Sequence, residues 1–158
     1  MLHLNLIVLG KLKEKYWVEA EAEYLKRLQS FAKVKILELK EESFLEKDNF
    51  EIVKQKEADK IKKIIPANSF LIVLDSKGQE FTSEEFANQL EKLSQTGENN
   101  NITFVIGGPL GLDKEILDLA NLKLSFSKMT FTHQMIRIFL WEQIYRGFMI
   151  KENRKYHY

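Results

Sequence analysis

The chain has no cysteine, so disulfide frameworks, thiolate metal sites and cysteine nucleophiles are excluded at once. That suits a cytoplasmic setting. Only two prolines and seven glycines interrupt its 158 residues, too few for a collagenous or linker-rich protein. Histidine is scarce too: His3, His133 and His157 are the three, and no pair has ligand spacing, so no metal is expected. The Gly-x-Ser-x-Gly elbow of a hydrolase is missing. Neither sign of charge prevails, with 24 Lys and Arg against 23 Asp and Glu, which argues against gripping nucleic acid by bulk electrostatics. The segment MLHLNLIVLG lacks a basic leader, is shorter than a membrane span and runs into a charged amphipathic stretch. It reads as a first strand, and no membrane association is expected.

What is present fits one compact domain over residues 1–158, since 44% hydrophobic composition suffices for a single core. Strand-like runs at Leu4–Leu9, Val34–Leu39, Phe70–Leu74, Ile102–Ile106 and Leu122–Phe126 alternate with helical patterns. The expected fold is therefore α/β, a mostly parallel sheet whose nearly continuously apolar strands are covered by helices on both faces. A first helix over Glu14–Gln29 carries an apolar stripe of Tyr16, Val18, Ala20, Tyr24, Leu25 and Leu28, broadened by Trp17. Asp48 is the expected cap of a second helix that Pro66 stops. Thr82 with Glu85 forms a capping-box pattern before a third, which Gly97 and Asn99–Asn101 end in a turn. Asp113 caps a short fourth.

The last helix differs. Between Met135 and Met149 its apolar residues point in almost every helical direction, so it must be covered on more than one side. Either another part of this chain or a second copy can do this, and a homodimer is the preferred expectation.

Three loops are candidates for chemistry. FVIGGPLGLDKE sets Gly107, Gly108 and Gly111 between a strand and a capped helix, where glycines allow a ligand close to backbone amides. Its spacing matches neither G-x-G-x-x-G nor a P-loop, and taken alone such a run is more often plain turn chemistry than a ligand site. The second loop follows Leu74 with Asp75, Ser76, Lys77 and Gly78; the third surrounds Ser125, Ser127, Lys128 and Thr130. If their strands are adjacent and parallel, all three lie on one edge. Asp75 and Lys128 stand near the phosphoacceptor and lysine of a receiver domain, but Gly10-Lys11-Leu12-Lys13 offers no acidic Mg²⁺ ligands after the first strand. His133, in the first turn of the last helix, is either a structural hydrogen-bonding residue or part of a site. Basic clusters at Lys11, Lys13 and Lys15 and at Arg154, Lys155 and His157 read most simply as solvated charges.

GKLKEKYW, FVIGGPLGL, LSFSKMTFTHQMIRIFLWEQIYR and the closing Tyr156-His157 together resemble the RlmH family of bacterial ribosomal RNA methyltransferases in the SPOUT superfamily, over essentially the whole chain. The resemblance implies a C-terminal trefoil knot, a homodimer and S-adenosylmethionine held in the knot. It implies a substrate, too: a pseudouridine in helix 69 of 23S ribosomal RNA, methylated at N3 in the assembled ribosome. The family's cofactor contacts fall on Leu74, Gly107 and the run Phe126, Ser127, Lys128, Met129, Thr130 and Phe131, within the three loops chosen above. Candidates for handling substrate are His133, Arg137, Arg154, Tyr156 and His157, the tail reaching across to the other subunit's cofactor. Where the family commonly has Pro before the His of the last helix, this chain has Thr132, which can cap instead.

Overall fold

The computed structural model describes residues 1–95 and 100–156. Among them, strands and helices alternate throughout: β1 (Leu2–Leu9), α1 (Lys15–Leu28), β2 (Ala32–Leu39), α2 (Phe50–Ile64), β3 (Phe70–Glu80), α3 (Ser83–Gln95), β4 (Asn101–Ile106), α4 (Lys114–Leu119), β5 (Leu122–Ser125) and α5 (His133–Lys151). The strands form one sheet in the order β2-β1-β4-β3-β5, every neighbouring pair parallel. No helix among the described residues is long and apolar enough to cross a membrane.

The period of two along β1 explains why Leu6–Leu9 is apolar without a break. Leu4, Leu6 and Val8 enter a core with α1, α3 and α5, whereas Ile7 and Leu9 enter a second core with α2 and α4. The sheet is thus covered on both faces, and the expected α/β architecture stands.

Local capping sets most helix starts. Thr82 Oγ1 accepts from Glu85 N at 3.1 Å while Glu85 Oε2 accepts from Thr82 N at 2.7 Å, the reciprocal box read from the sequence. Asp113 and Thr132 cap α4 and α5 through Glu115 N and Met135 N. At α2 the cap is Asn49, not Asp48: Asn49 Oδ1 accepts from Glu51 N, and Asp48 instead closes the preceding turn on Leu45 N. The turn expected at Gly97 and Asn99 lies outside the described residues, and Asn101 already belongs to β4.

Two expectations about helix faces change. Tyr16 is 61% and Val18 49% exposed; the buried stripe of α1 passes instead through Glu21 and Leu28, with Tyr24 and Leu25 partly buried. And α5 is largely covered by its own chain, because α1 and α3 flank it above the sheet and bury Leu140, Trp141 and Ile144 completely. Phe139 remains 38% exposed. The return of α5 from the edge strand β5 to a place beside both α1 and α3 is consistent with the knot that the resemblance implies.

Candidate functional site

Because β4, β3 and β5 are adjacent and parallel, the segments that follow them leave the sheet on the same edge. Leu74 and Gln79 both stand opposite Leu124, so residues 75–78 form an excursion between two paired parts of β3. Gly78 holds its base: a Cβ there would lie 2.5 Å from the Lys123 carbonyl oxygen, which only glycine avoids. The buried Ser125 hydroxyl lies 3.1 Å from the carbonyl oxygens of both Ser76 and Ser127 and shares its single proton between them. The strand expected to end at Leu74 thus runs on to Glu80, and one side chain ties the excursion within β3 to the loop after β5.

The third loop turns tightly. Gly111 N donates to Gly108 O at 3.0 Å, and Gly111 has φ +80°, a left-handed conformation that favours glycine. A Cβ on Gly107 would press on Leu112 Cγ at 3.0 Å and the Gly111 carbonyl carbon at 3.1 Å. In the loop after β5, Ser127 Oγ accepts from Met129 N at 3.0 Å, while the amides of Lys128, Thr130 and Phe131 have no hydrogen-bond partner among the described residues. Met129 is 75% and Phe131 40% exposed. Free amide donors beside exposed apolar side chains suit a ligand that is part flat ring and part polar group. Leu74, half-buried, stands where the excursion in β3 begins, so the residues expected to hold a cofactor come from three adjacent strands. A cavity of about 190 Å³ opens where Ser125 and Phe126 meet Phe81, Phe86 and Gln143.

The candidate substrate-handling residues do not all gather there. His133 begins α5 directly after the loop; its Nε2 is buried, makes no hydrogen bond, and stands 3.5 Å from Glu41 Oε1, within charge–charge reach. Arg137, one turn on, is buried, with Nε and Nη2 on Glu21 and Nη1 on Glu38 at 2.9 Å. This side chain is engaged as a tie between α5, α1 and β2. Arg154 and Tyr156 follow the far end of α5. Its 19 residues span about 28 Å at roughly 1.5 Å per residue, so within one protomer the tail is remote from the loops. Arg154 pairs with Glu152 at 2.7 Å. Tyr156 packs edge-on against Tyr145 at 4.9 Å under the Arg146 guanidinium, and burial followed by the Tyr24 hydroxyl pushes its phenol well above the usual range. It stays protonated at neutral pH. His157 lies outside the described residues.

Behind the Gly108 turn sits a carboxylate that sequence reasoning passed over. Glu57 of α2 is only 4% exposed, its Oε1 accepts from Glu42 N at 3.2 Å, and both its oxygens would lie 3.6 Å from a Cβ on Gly108. Burial holds its carboxyl above the usual carboxylate range, and the charge of Glu41 pushes the same way. Ser125 and Gly78 were likewise not singled out as ties; both act through partners distant in sequence.

The strand order bears on the receiver alternative. Receiver domains follow the flavodoxin-like order 2-1-3-4-5, whereas here β4 lies between β1 and β3. Comparison with known proteins agrees with that distinction. Residues 2–157 match a family model described as a predicted SPOUT methyltransferase. Curated relatives include proteins named ribosomal RNA large subunit methyltransferase H: one from Clostridium acetobutylicum, 46% identical over 99% of both chains, and one from Pelotomaculum thermopropionicum, 44% identical over the full length of both. A third, from Clostridium botulinum, is 47% identical over 99% of both chains. The likeness runs from one end of the chain to the other and takes in all three loops, and the chain belongs to the SPOUT methyltransferase family.

Proposed function

We propose that the protein is a cytoplasmic homodimer that transfers a methyl group from S-adenosylmethionine to N3 of a pseudouridine in helix 69 of 23S ribosomal RNA, within the assembled ribosome. The observation that carries this reading is the convergence of Leu74, Gly107 and the Phe126–Phe131 loop on one sheet edge, with two of the three segments joined by Ser125. The names of the relatives support the ribosomal RNA substrate.

Adenosylmethionine, when bound, supplies a methyl group made electrophilic by its sulfonium. The chain's own part is to bind and orient. Amides of Lys128, Thr130 and Phe131 offer donors, while Leu74, Met129 and Phe131 offer apolar surface. Gly107, where a side chain would collide with Leu112, keeps the backbone bare at the middle loop. The imide N3 of the substrate carries a proton at neutral pH, so transfer needs a proton acceptor or a cation beside the developing anion. His133, whose Nε2 makes no hydrogen bond, and His157 are the candidate acceptors; Arg154 is the candidate cation. Tyr156 serves as a hydrogen-bond donor rather than a base, because its phenol holds its proton. Arg137 acts by holding α5 in place.

The length of α5 makes a second protomer part of this reading. A tail that follows the far end of this helix would reach a cofactor across an interface rather than along its own protomer. Met129, Phe131 and Phe139, with Phe131 and Phe139 in edge contact at 5.4 Å, form an exposed apolar patch beside the loops for that interface to cover.

The test is transfer of tritiated methyl from adenosylmethionine to ribosomes that lack the modification, comparing intact ribosomes, separated subunits and naked RNA. Label at a single pseudouridine of intact ribosomes supports the proposal; no label on any of the three rejects it.

A further inference from the structure

One strongly charged segment lies outside the three loops. Gly10, at φ +90°, turns the chain off β1, and Lys11, Lys13 and Lys15 follow, all exposed, with Tyr16 61% exposed beside them. This segment leaves the sheet on the same edge as the three loops, because β1 is parallel to β4. It is also fastened to the site: Lys13 N donates to Gln134 Oε1 at 2.8 Å, and Gln134 lies in the first turn of α5, three residues beyond Phe131. Lys11 and Lys13 have no carboxylate partner among the described residues, and Lys15 meets only the exposed Glu19 at 3.5 Å, a pair that solvent screens. Glu14 is the one acid between them. Tyr16 touches Trp17 edge-on at 5.0 Å.

We propose that Lys11, Lys13, Lys15 and Tyr16 form the strand-holding surface for the RNA, the lysines on backbone phosphates and the Tyr16 ring stacked on an unpaired base. The inference rests on the reading of the protein as a ribosomal RNA methyltransferase and adds the residues that hold the substrate. Charge complementarity selects the occupant: unneutralised ammonium groups suit phosphates, and an exposed aromatic ring among them suits a base that has left its stack. A protein of nearly balanced charge gains a local anion-holding strip in this way without a basic surface overall. The strip stands beside the loop that would hold the cofactor, where a strand must lie if one of its bases is to be methylated.

The experiment uses full-length Tyr16→Ala, Tyr16→Phe and the triple variant Lys11→Gln/Lys13→Gln/Lys15→Gln, with unmodified ribosomes as the probe. Ribosome cosedimentation, adenosylmethionine affinity by calorimetry and dimer mass are measured for each. Tyr16→Ala should weaken ribosome binding about tenfold, the loss of one stacked base, and Tyr16→Phe should restore it. The triple variant should make the salt dependence shallower by about two to three units of log affinity per log salt. Adenosylmethionine affinity and dimer mass should be unchanged. Unaltered ribosome affinity in Tyr16→Ala and in the triple lysine variant overturns the proposal. So does a loss that merely follows dissociation into monomers, which would make the strip a contact between copies. Lysine-dependent ribosome binding by a protein that transfers no methyl group would reject the proposed function while upholding this surface.

Discussion

Arg137 of α5 forks onto Glu21 of α1, Nε to Oε1 at 2.5 Å and Nη2 to Oε2 at 2.7 Å, with both residues less than a tenth exposed. Trp141, one turn further along α5, donates its indole Nε1–H to the same Glu21 oxygen at 2.8 Å. Two bonds from one guanidinium and a third from a ring fix how α5 is rotated against α1. Since α5 begins at His133, two residues beyond Phe131, that rotation also sets where the cofactor loop ends. A buried ion pair adds little net stability but enforces geometry, and the geometry here belongs to the site.

Removing one partner should therefore cost far more than removing both. Arg137→Met leaves Glu21 buried without its counter-charge and should destabilise the fold by about 3–5 kcal/mol. The double variant Glu21→Gln/Arg137→Met, whose position-21 amide oxygen still accepts from the buried Trp141 Nε1–H, should recover most of that. Urea unfolding of the two proteins decides it; equal losses would show that the pair acts through packing alone.

The tie at Ser125 predicts a loss that is small in stability and large in binding. Ser125→Ala deletes a hydrogen bond worth about 1 kcal/mol, yet frees the excursion within β3 from the loop after β5. Calorimetry should show adenosylmethionine affinity falling at least severalfold while the unfolding midpoint moves little. Gly78→Ala is the harsher change, because its Cβ meets the Lys123 carbonyl, and it should lower stability as well as affinity.

Glu57 gives a dependence on pH with a definite sign. Its carboxyl holds a proton more tightly in the folded protein than in the unfolded chain, so between the ordinary carboxylate range and its raised value the folded state binds more protons. Stability from this group is complete below that window and is lost as pH rises through it. Glu57→Gln can still accept from Glu42 N and should be more stable than the parent at pH 8 but not at pH 4. Denaturant midpoints at the two pH values check this, and a gap that is the same at both would contradict it.

Phe139→Asp places a charge in the apolar patch shared with Phe131 while leaving the buried side of α5 alone. Sedimentation should show a monomer with a normal unfolding midpoint, and methyl transfer should fall by tenfold or more. A dimer of unchanged affinity would put the interface elsewhere.

What the sequence disclosed was mostly local. The caps at Thr82, Asp113 and Thr132 bond to residues two or three places away, so a short pattern contains the whole interaction. The alternation of strands and helices was legible for the same reason, and the three loops followed once adjacent parallel strands were assumed. Glu21 was not legible. A glutamate in a helix reads as solvated, and its partner Arg137 is 116 residues away. The tie from Ser125 to Ser76 crosses 49 residues, and the placement of β4 between β1 and β3 leaves no periodic trace. Misplacing Tyr16 in the core has the same root, since hydrophobicity alone could not reveal that Glu21 occupies the inward face. The implied knot came from resemblance, because chain physics argues against threading.

The central claim is that a cofactor held by the loops of one protomer is served by the tail of the other, and mixed protomers test it most directly. Gly107→Leu should abolish methyl transfer by filling the cofactor loop, and Arg154→Ala by removing the tail's cation. If the two are unfolded together and refolded in equal amounts, half the dimers are mixed and each has one intact composite site, so about a quarter of the parent activity should return. Mixtures no more active than the separate variants would contradict the account.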